Sequence, residues 1–293
     1  MQVLGILLDV VGPVFLIAFV GYIWARAGKP FDSSFVALIV NGVTTPCLVI
    51  DTLTRTKLAP AVIGQMALAG GLCLLLAGLS GWALVRALKQ PTATYLPSLI
   101  WSNGGNMGLP LCLFAFGEPG LGLAIAFFSL SSVTNYTVGQ AIAAGGMSFR
   151  DVVRLPMTWA LLLAILLIWT GLQLPTMAQR AVNLLGAITV PLMLLSLGHA
   201  LASLSITSFG RSSTFAAARL IGGFAIGWLV AWGLGLEGVA RGVVVIQSAM
   251  PSAVLNYLFA ARYGNDPREV AGVVVLSTLM SLVALPLFLL TVM

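Results

Sequence analysis

The chain has 293 residues, of which 59% are hydrophobic and only 8% are charged, and its mean hydropathy is +1.06. A soluble globular protein has about 25% charged residues, so this composition excludes that class and predicts an integral membrane protein. The formal charge of +6 comes from basic residues scattered at the ends of apolar segments, which argues against nucleic acid as a partner. The three cysteines lie in apolar segments without metal-ligand spacing, so we expect no disulfide framework, no metal site and no cofactor.

Apolar segments follow one another along almost the whole chain. Each is close to the roughly 20 residues that a helix needs to cross a bilayer, and two of them contain a break. The first segment is expected to be a retained span rather than a cleaved signal, because no basic stretch precedes it. The ten predicted spans are residues 3–25, 35–54, 62–84, 93–116, 121–144, 157–174, 182–201, 214–235, 239–263 and 270–291.

Basic residues in the loops predict the orientation of these spans. The loops on one side hold nine arginines and lysines and those on the other side hold four, so the first side is expected to face the cytoplasm. Ten spans in this orientation place both termini outside a bacterial cytoplasmic membrane. The larger set is Arg26, Lys29, Arg86, Lys89, Arg150, Arg154, Arg211, Arg262 and Arg268, and the smaller set is Arg55, Lys57, Arg180 and Arg241.

The spans form two sets of five with landmarks at a nearly constant offset. Pro46 and Pro191 are 145 residues apart, Gly117 and Gly264 are 147 apart, and the fourth span of each set is broken. Because each set has an odd number of spans, the two copies are expected to lie in opposite orientations, as in many secondary transporters. This predicts a first five-helix repeat over residues 1–145, a cytoplasmic linker over 146–155 and a second, inverted repeat over 156–293.

The first break, residues 101–110, is the most unusual stretch of the chain because it contains three glycines, two asparagines and a proline. Glycine and proline both weaken the helical hydrogen-bond ladder. In hydrocarbon each unpaired backbone group costs several kcal/mol, so a break is tolerated only inside protein or beside a watery cavity. A matching break falls at residues 248–252. The two breaks together predict a binding site.

The breaks carry the segments Asn103-Gly-Gly-Asn-Met-Gly-Leu-Pro-Leu111, followed by Phe116-Gly117, and Met250-Pro-Ser-Ala-Val-Leu-Asn256. These segments resemble the two signature regions of the auxin efflux carrier family, which includes plant auxin exporters and bacterial permeases for malate, malonate and similar acids. The resemblance covers the whole chain and implies ten helices, with broken helices four and nine crossing at the membrane midplane. It also implies a scaffold of helices 1, 2, 6 and 7, a transport domain of helices 3–5 and 8–10, and a homodimer through the scaffold. The short linker resembles that of bacterial members.

The crossing is expected to bind an anion without a charged side chain. The N-terminal ends of the two half-helices offer free N–H groups and a partial positive charge, which favour a carboxylate. We expect these ends near Gly108 and near Pro251, since proline favours the first helical position. Neither break contains lysine, histidine or an acidic residue. The candidate substrate-binding residues are Asn103, Gly104, Gly105, Asn106, Gly108, Pro110, Ser248, Met250, Pro251, Ser252 and Asn256.

Several polar or kinking residues have a structural interpretation beside the functional one. The asparagines could merely cap the opened helix ends, as short polar side chains do. Pro46 and Pro191 could be kinks satisfied by neighbouring helices, or they could face the pocket. Asn135 lies with other polar residues on one face of the fifth span, which packs either toward the pocket or against another helix.

Three ionisable residues fall inside predicted spans, where a charge is expensive and tends to be functional. Arg219 lies near the cytoplasmic end of the eighth span, and its side chain is expected to extend to the membrane interface. His199, the only histidine, follows Pro191 by eight residues, about 12 Å toward the cytoplasm, which favours an interfacial position over a proton relay. Asp51, just beyond Pro46, is a candidate coupling or pocket residue. We do not expect Asp51 and His199 to pair, because they lie on opposite sides of the midplane.

The sequence predicts a secondary transporter that moves a small organic anion, a mono- or dicarboxylate, by an elevator-like or rocking form of alternating access. Transport is expected to be uniport or linked to protons. A sodium-coupled symporter is the alternative, since carbonyls at half-helix C-termini bind sodium in other transporters. An anion channel is a less favoured alternative, because a channel does not explain why two helices are broken at matching positions. An intramembrane enzyme is disfavoured because the chain has one histidine and few acidic residues, most of them peripheral.

Overall fold

The computed structural model describes residues 2–56, 58–146, 155–204 and 208–292, with side chains from residue 9 onward. Within these ranges the chain is helical, and its one extended pairing is an isolated antiparallel β-bridge. The predicted all-α class is therefore confirmed. The helices are α1 (Gln2–Arg26), α2 (Ser33–Ile39), α3 (Thr45–Thr56), α4 (Pro60–Ala87), α5 (Thr92–Ile100), α6 (Leu109–Thr134), α7 (Gln140–Ala144), α8 (Pro156–Thr170), α9 (Thr176–Ala187), α10 (Thr189–Ser203), α11 (Phe209–Gly233), α12 (Gly238–Ser248), α13 (Val254–Tyr263) and α14 (Pro267–Leu289).

The described ranges also contain three short π-helical turns, each of which runs directly into the helix that follows it. They are Val40–Thr44 between α2 and α3, Gly104–Gly108 before α6, and Asn135–Gly139 between α6 and α7. A π-helical turn inserts one extra residue into the hydrogen-bond ladder, and such turns are frequent at functional sites. The turns lie in or next to segments that carry buried polar residues, namely Asp51 in α3, Asn103 before the second turn and Asn135 in the third.

Seven helical stretches in the described ranges are long and apolar enough to cross a membrane, and two further apolar helices, α8 and α12, are shorter. The protein is therefore a multi-pass membrane protein. Ten spans were predicted, and part of the difference lies at Gly117, where the 41-residue stretch Gly104–Ala144 contains a non-helical backbone with φ 67° and ψ −161°. The sequence predicts the loop between spans four and five at this glycine.

Proline and glycine set many of the helix ends. Pro60, Pro156 and Pro267 occupy the first turns of their helices, where a missing N–H leaves no gap in the hydrogen-bond ladder. Gly171 and Gly264 follow the last residues of α8 and α13 in the left-handed conformation, with φ of 69° and 73°. Glycine adopts this conformation without steric strain, so it ends a helix sharply.

Helices α1 and α10 pack against each other through their backbones. A Cβ atom at Gly198 would overlap the carbonyl oxygen of Ala18, and one at Gly21 would overlap the carbonyl oxygen of Leu195. Small residues allow this approach in membrane proteins, where packing rather than hydrophobicity holds helices together. This contact joins the first and seventh predicted spans, both of which the family resemblance assigns to the scaffold.

Parts of the predicted organisation fall outside the described ranges. Residues 147–154, which make up most of the predicted linker and include Arg150 and Arg154, are among them, and so is Lys57. The division into two inverted repeats, and into a scaffold and a transport domain, stays a prediction.

Candidate functional site

The first break is narrower than the sequence suggests. Helix α5 ends at Ile100, residues 101–103 are non-helical, and the π-helical turn begins at Gly104. The second half-helix therefore starts at Gly104 and not near Gly108, where we expected it. The wide turn keeps the glycines helical, and it accommodates Pro110, whose missing N–H would leave a gap in a regular ladder.

The second break separates α12, which ends at Ser248, from α13, which begins at Val254. The residue before α13 is Ala253, which has an extended backbone with φ −66° and ψ 138°. Pro251 is not the first residue of the half-helix, as its residue type had suggested. It lies in the non-helical stretch because its carbonyl oxygen pairs with the first break.

The two breaks are hydrogen-bonded to each other through their backbones. The N–H of Asn103 donates to the carbonyl oxygen of Pro251 at 2.7 Å, and the N–H of Ala253 donates to the carbonyl oxygen of Trp101 at 3.1 Å. These two bonds flank the isolated antiparallel β-bridge. Each break thus satisfies part of the backbone that the other leaves unpaired, which is the condition for irregular backbone at membrane depth.

Side chains reinforce this β-bridge, whose two residues are Ser102 and Ser252. The Ser102 hydroxyl donates to the carbonyl oxygen of Gln247 at 3.0 Å. The side-chain amide of Asn256 donates to the carbonyl oxygen of Trp101 at 3.1 Å and to the Ser252 hydroxyl at 3.2 Å. Asn256 therefore holds the two breaks together, a structural role of the kind that the capping interpretation assigns to the asparagines.

Arg219 joins the C-terminal ends of the two interrupted helices. Its side chain comes from α11 and is 3% exposed. The guanidinium donates to the carbonyl oxygens of Leu99 at 2.6 Å and Met250 at 3.1 Å, and also to the carbonyl oxygen of Ser248. A longer contact of 3.4 Å reaches the carbonyl oxygen of Ile100. The expectation that Arg219 extends to the membrane interface is wrong, because unpaired helix-end carbonyls offer it partners in the interior.

A cavity of about 270 Å³ lies beside the paired breaks. The first residues of both half-helices line it, namely Gly105 and Asn106 after the first break, and Val254 and Leu255 after the second. The backbone N–H groups of these four residues have no hydrogen-bond partner in the described part of the chain. No charged side chain is found among the described residues that line the cavity. Further polar side chains in its wall include Ser33, Asn41, Ser131, Asn135, Tyr136 and Ser196.

Two buried asparagines at the cavity have an amide atom without a partner among the described residues. Asn103 is 4% exposed and its Nδ2 atom is unpaired, and Asn135 is 5% exposed and its Oδ1 atom is unpaired. Leaving such a group unpaired costs about 1–3 kcal/mol. The unpaired atom of Asn103 is a donor, and a 180° flip of the Asn135 amide, which exchanges its nitrogen and oxygen, would make the unpaired atom of Asn135 a donor as well. Both side chains therefore have unused capacity to bind a ligand.

The structure brings some of the predicted site residues to the cavity and places others around it. Asn103, Gly105, Asn106 and Asn135 line the cavity. Gly104 and Gly108 instead face Gln247, because a Cβ atom at either position would lie 2.6 Å from its Oε1 atom. The predicted residues that do not line the cavity are Pro110, Ser248, Met250, Pro251, Ser252, Asn256, Pro46, Pro191 and Asp51.

Asp51 belongs to a separate polar cluster. It is 4% exposed and accepts hydrogen bonds from the side-chain amides of Gln179 at 2.8 Å and Asn183 at 3.1 Å. Arg55 lies 3.5 Å from Asp51 and 2.8 Å from Glu118, with about half of each of the Arg55 and Glu118 side chains exposed. This cluster connects α3 with α9 and with the turn at the start of the fifth predicted span.

We expect Asp51→Ala to destabilise the protein more than Glu118→Ala. Removal of the buried Asp51 carboxylate breaks its hydrogen bonds to the half-buried Gln179 and the exposed Asn183, and a bond to a charged group is worth about 1.5–3 kcal/mol. Removal of Glu118 breaks only a half-exposed ion pair, worth less than about 1 kcal/mol. Thermal unfolding of the two purified variants in detergent measures the difference. Equal melting temperatures would contradict a structural role for the buried Asp51 cluster.

His199 lies near the cavity without lining it. Its ring stacks on Phe31 with centroids 4.5 Å apart, and its Nδ1 atom is 3.2 Å from the hydroxyl oxygen of Ser33. Ser33 is one of the residues that line the cavity. Asp51 and His199 have different partners, in agreement with the expectation that they do not pair.

Arg219 is the main residue near this site that the sequence did not predict. Gly223, one helical turn after Arg219, was the available signal, because a Cβ atom there would overlap the carbonyl oxygen of Ser248. A glycine one turn from an intramembrane arginine indicates that another backbone approaches the helix at that level. Neither Gly223 nor Arg219 predicts by itself which part of the chain approaches α11.

A multi-pass helical membrane protein with two interrupted, mutually paired helices beside a polar cavity fits the class of membrane transport proteins. A sequence model of the family described as membrane transport protein matches residues 141–289, and the chain belongs to this family, which includes the auxin efflux carriers. The resemblance found in the sequence is thereby confirmed.

Similar proteins cover either the whole chain or about half of it. An uncharacterised transporter of Methanothermobacter thermautotrophicus is 29% identical over 94% of this chain and 95% of its own length. An uncharacterised transporter of Methanocaldococcus jannaschii is 25% identical over 96% and 97%. Auxin efflux carrier component 2 of Oryza sativa subsp. japonica is 28% identical over 46% of this chain and 23% of its own length. These relatives support a transport function and do not indicate an enzyme.

Proposed function

We propose that this protein is a secondary transporter that moves a small organic anion, a mono- or dicarboxylate, by alternating access. The observation that carries the proposal is the 270 Å³ cavity, where four unpaired backbone N–H groups and two unsatisfied amides meet no charged side chain. N-terminal helix ends and amides are suitable donors for a carboxylate. A carboxylate bound there would satisfy groups that the protein itself leaves unpaired.

The proposed architecture is ten spans in two inverted repeats, with spans four and nine crossing at the breaks. The antiparallel pairing of the two breaks supports it, as does the distance in sequence between bonded residues. Ser102 bonds to Gln247, 145 residues later, which equals the offset between Pro46 and Pro191. Both spans that the sequence predicts to be broken are interrupted, after Ile100 and after Ser248, next to the predicted starts of the breaks.

The proposed movement places the substrate between two bodies. Ser33 to Asn41 and Met193 to Ser203 belong to the predicted scaffold, whereas the residues near the breaks belong to the predicted transport domain, and both groups line the cavity. Sliding or rocking of the transport domain against the scaffold would therefore open the cavity to one side of the membrane and then to the other. We propose that the scaffold also forms a homodimer and that both termini lie outside a bacterial cytoplasmic membrane.

The driving force is proposed to be the anion gradient and the membrane potential, with uniport or proton linkage. One negative charge that leaves an inside-negative cell gains about 2.3 kcal/mol per 100 mV, so export needs no coupling ion. Import of an anion against this potential would need a coupling ion. Sodium-coupled symport is the alternative.

Proteoliposomes that contain the purified protein test the proposal through uptake of labelled mono- and dicarboxylates. We expect saturable uptake of at least one acid and a rate about 10-fold lower in Asn106→Ala, because one amide donor to the anion is lost. Gln90→Ala removes an amide outside the cavity and is the matched control. A wild-type rate in Asn106→Ala would refute the site, and uptake that does not saturate would favour a channel.

A further inference from the structure

The guanidinium of Arg219 occupies a ring of backbone oxygens at the paired breaks. Its contacts are the carbonyl oxygens of Leu99, Ile100, Ser248 and Met250, all at or just beyond the C-terminal ends of α5 and α12. These carbonyls come from two segments about 150 residues apart in sequence, and a third helix supplies the cation. The two interrupted helices thus share one positive charge.

No acidic side chain neutralises this buried charge in the part of the chain that the structure describes. The described ion pairs join Arg55 to Asp51 and to Glu118, and Arg211 to Glu269. The C-terminal end of a helix is equivalent to roughly −0.5 elementary charge, so two such ends together carry about −1. The helix ends therefore balance Arg219 without a carboxylate.

Backbone carbonyls in such a ring are also good ligands for a small monovalent cation. They replace the water shell of alkali ions in channels, and at half-helix C-termini they coordinate sodium in transporters. We propose that Arg219 is a cation built into the protein, which takes the position of a sodium ion and makes the fold and the anion site independent of sodium. The same carbonyls form a sodium site when the arginine side chain is removed.

This assignment, which rests on the proposed function for its effect on transport, also sets the charge of the site. With the C-terminal ends balanced by Arg219, the two N-terminal ends at the cavity contribute about +1 that is not balanced by a side chain. That charge suits one carboxylate group. Arg219 is thus a positioning residue, since it acts on the anion through the helix ends and does not line the cavity.

The test measures thermal stability of the full-length protein in detergent, so it does not depend on which anion is transported. Wild type, Arg219→Ala, Arg219→Gln and Arg219→Lys are purified in sodium chloride and then melted in sodium, potassium or choline chloride. Arg86→Ala is the matched control, because it removes one positive charge from an exposed arginine that lies over Trp82.

We expect sodium to raise the melting temperature of Arg219→Ala by at least about 3 °C relative to choline, through binding to the native state. Arg219→Gln is expected to respond in the same direction. The melting temperatures of wild type, Arg219→Lys and Arg86→Ala are expected to shift by less than about 1 °C. In these proteins a positive side chain at position 219 fills the site or repels sodium from it. If Arg219 were purely structural, Arg219→Ala and Arg219→Gln would each lose the same stability in sodium, potassium and choline chloride.

Two outcomes would overturn the proposal. One is a wild-type protein that sodium stabilises as strongly as it stabilises Arg219→Ala. The other is a pair of neutral variants that sodium neither stabilises nor rescues from misfolding. The neutral variants are purified in sodium chloride, where sodium should fill the emptied site. A neutral variant that does not fold in sodium chloride therefore also counts against the proposal. Failure of anion uptake alone would refute the proposed function and leave this result unchanged.

Discussion

Replacing Asn103 by alanine is expected to lower kcat/KM for the transported anion about 10- to 100-fold while the helices and their stability stay close to wild type. The backbone N–H of Asn103 holds the second break, and alanine keeps that bond. Its side-chain amide lines the cavity and has no partner for its nitrogen among the described residues. A hydrogen bond to a charged carboxylate is worth about 1.5–3 kcal/mol, which corresponds to the expected loss.

Asn256→Ala is the matched control for this prediction, because it makes the same chemical change at the other break. The Asn256 amide donates to the Trp101 carbonyl and the Ser252 hydroxyl and does not line the cavity. We therefore expect it to lower stability by about 1–3 kcal/mol. Uptake into proteoliposomes and melting temperatures separate the two effects. If Asn103→Ala transports like wild type, the unpaired amide does not bind the anion.

Gly198→Ala is expected to cost about 3 kcal/mol or more and to leave little folded protein. The added Cβ atom would overlap the carbonyl oxygen of Ala18 and lie 2.8 Å from the backbone nitrogen of Tyr22. Because both obstacles are backbone atoms, no side chain can rotate away, and α1 must separate from α10.

Gly12→Ala, on the same helix α1, is the control for that change. A Cβ atom at Gly12 would have nothing within 4 Å. Alanine is the better helix former by about 0.5–1 kcal/mol, so this variant is expected to equal or exceed wild-type stability. Size-exclusion profiles and thermal melts of both variants in detergent measure the contrast. Equal stability of the two would mean that α1 and α10 are not packed through their backbones.

The sequence predicted the class of protein and the positions of the two helix breaks because both depend on composition that is visible locally. Few charges and long apolar segments define a membrane protein. Glycine, proline and asparagine together mark where a helix opens, and the helices before the two breaks end at Ile100 and Ser248, next to the predicted starts of the breaks. The family signature is carried by the same residues, so the resemblance and the physical argument agree on Asn103 and Asn106.

The finer geometry of the site depends on partners that are distant in sequence. The half-helix starts at Gly104 because the Asn103 backbone N–H bonds to Pro251, a contact that no local pattern reveals. Arg219 could not be assigned for the same reason, since its carbonyl partners lie between 29 and 120 residues away along the chain. Its position near a helix end suggested a surface role, and only the three-dimensional arrangement places helix ends in the interior.

The pairing of the two breaks also has a consequence for synthesis. When the ribosome has inserted the first five predicted spans, the carbonyls of Leu99 and Trp101 still lack the groups that later bond to them, Arg219, Ala253 and Asn256. Unpaired carbonyls in hydrocarbon cost several kcal/mol each, so the nascent first half holds an unfinished helix in the membrane. Its interrupted segment is completed only when the ninth predicted span has left the ribosome, which makes the candidate site one of the last parts of the chain to fold.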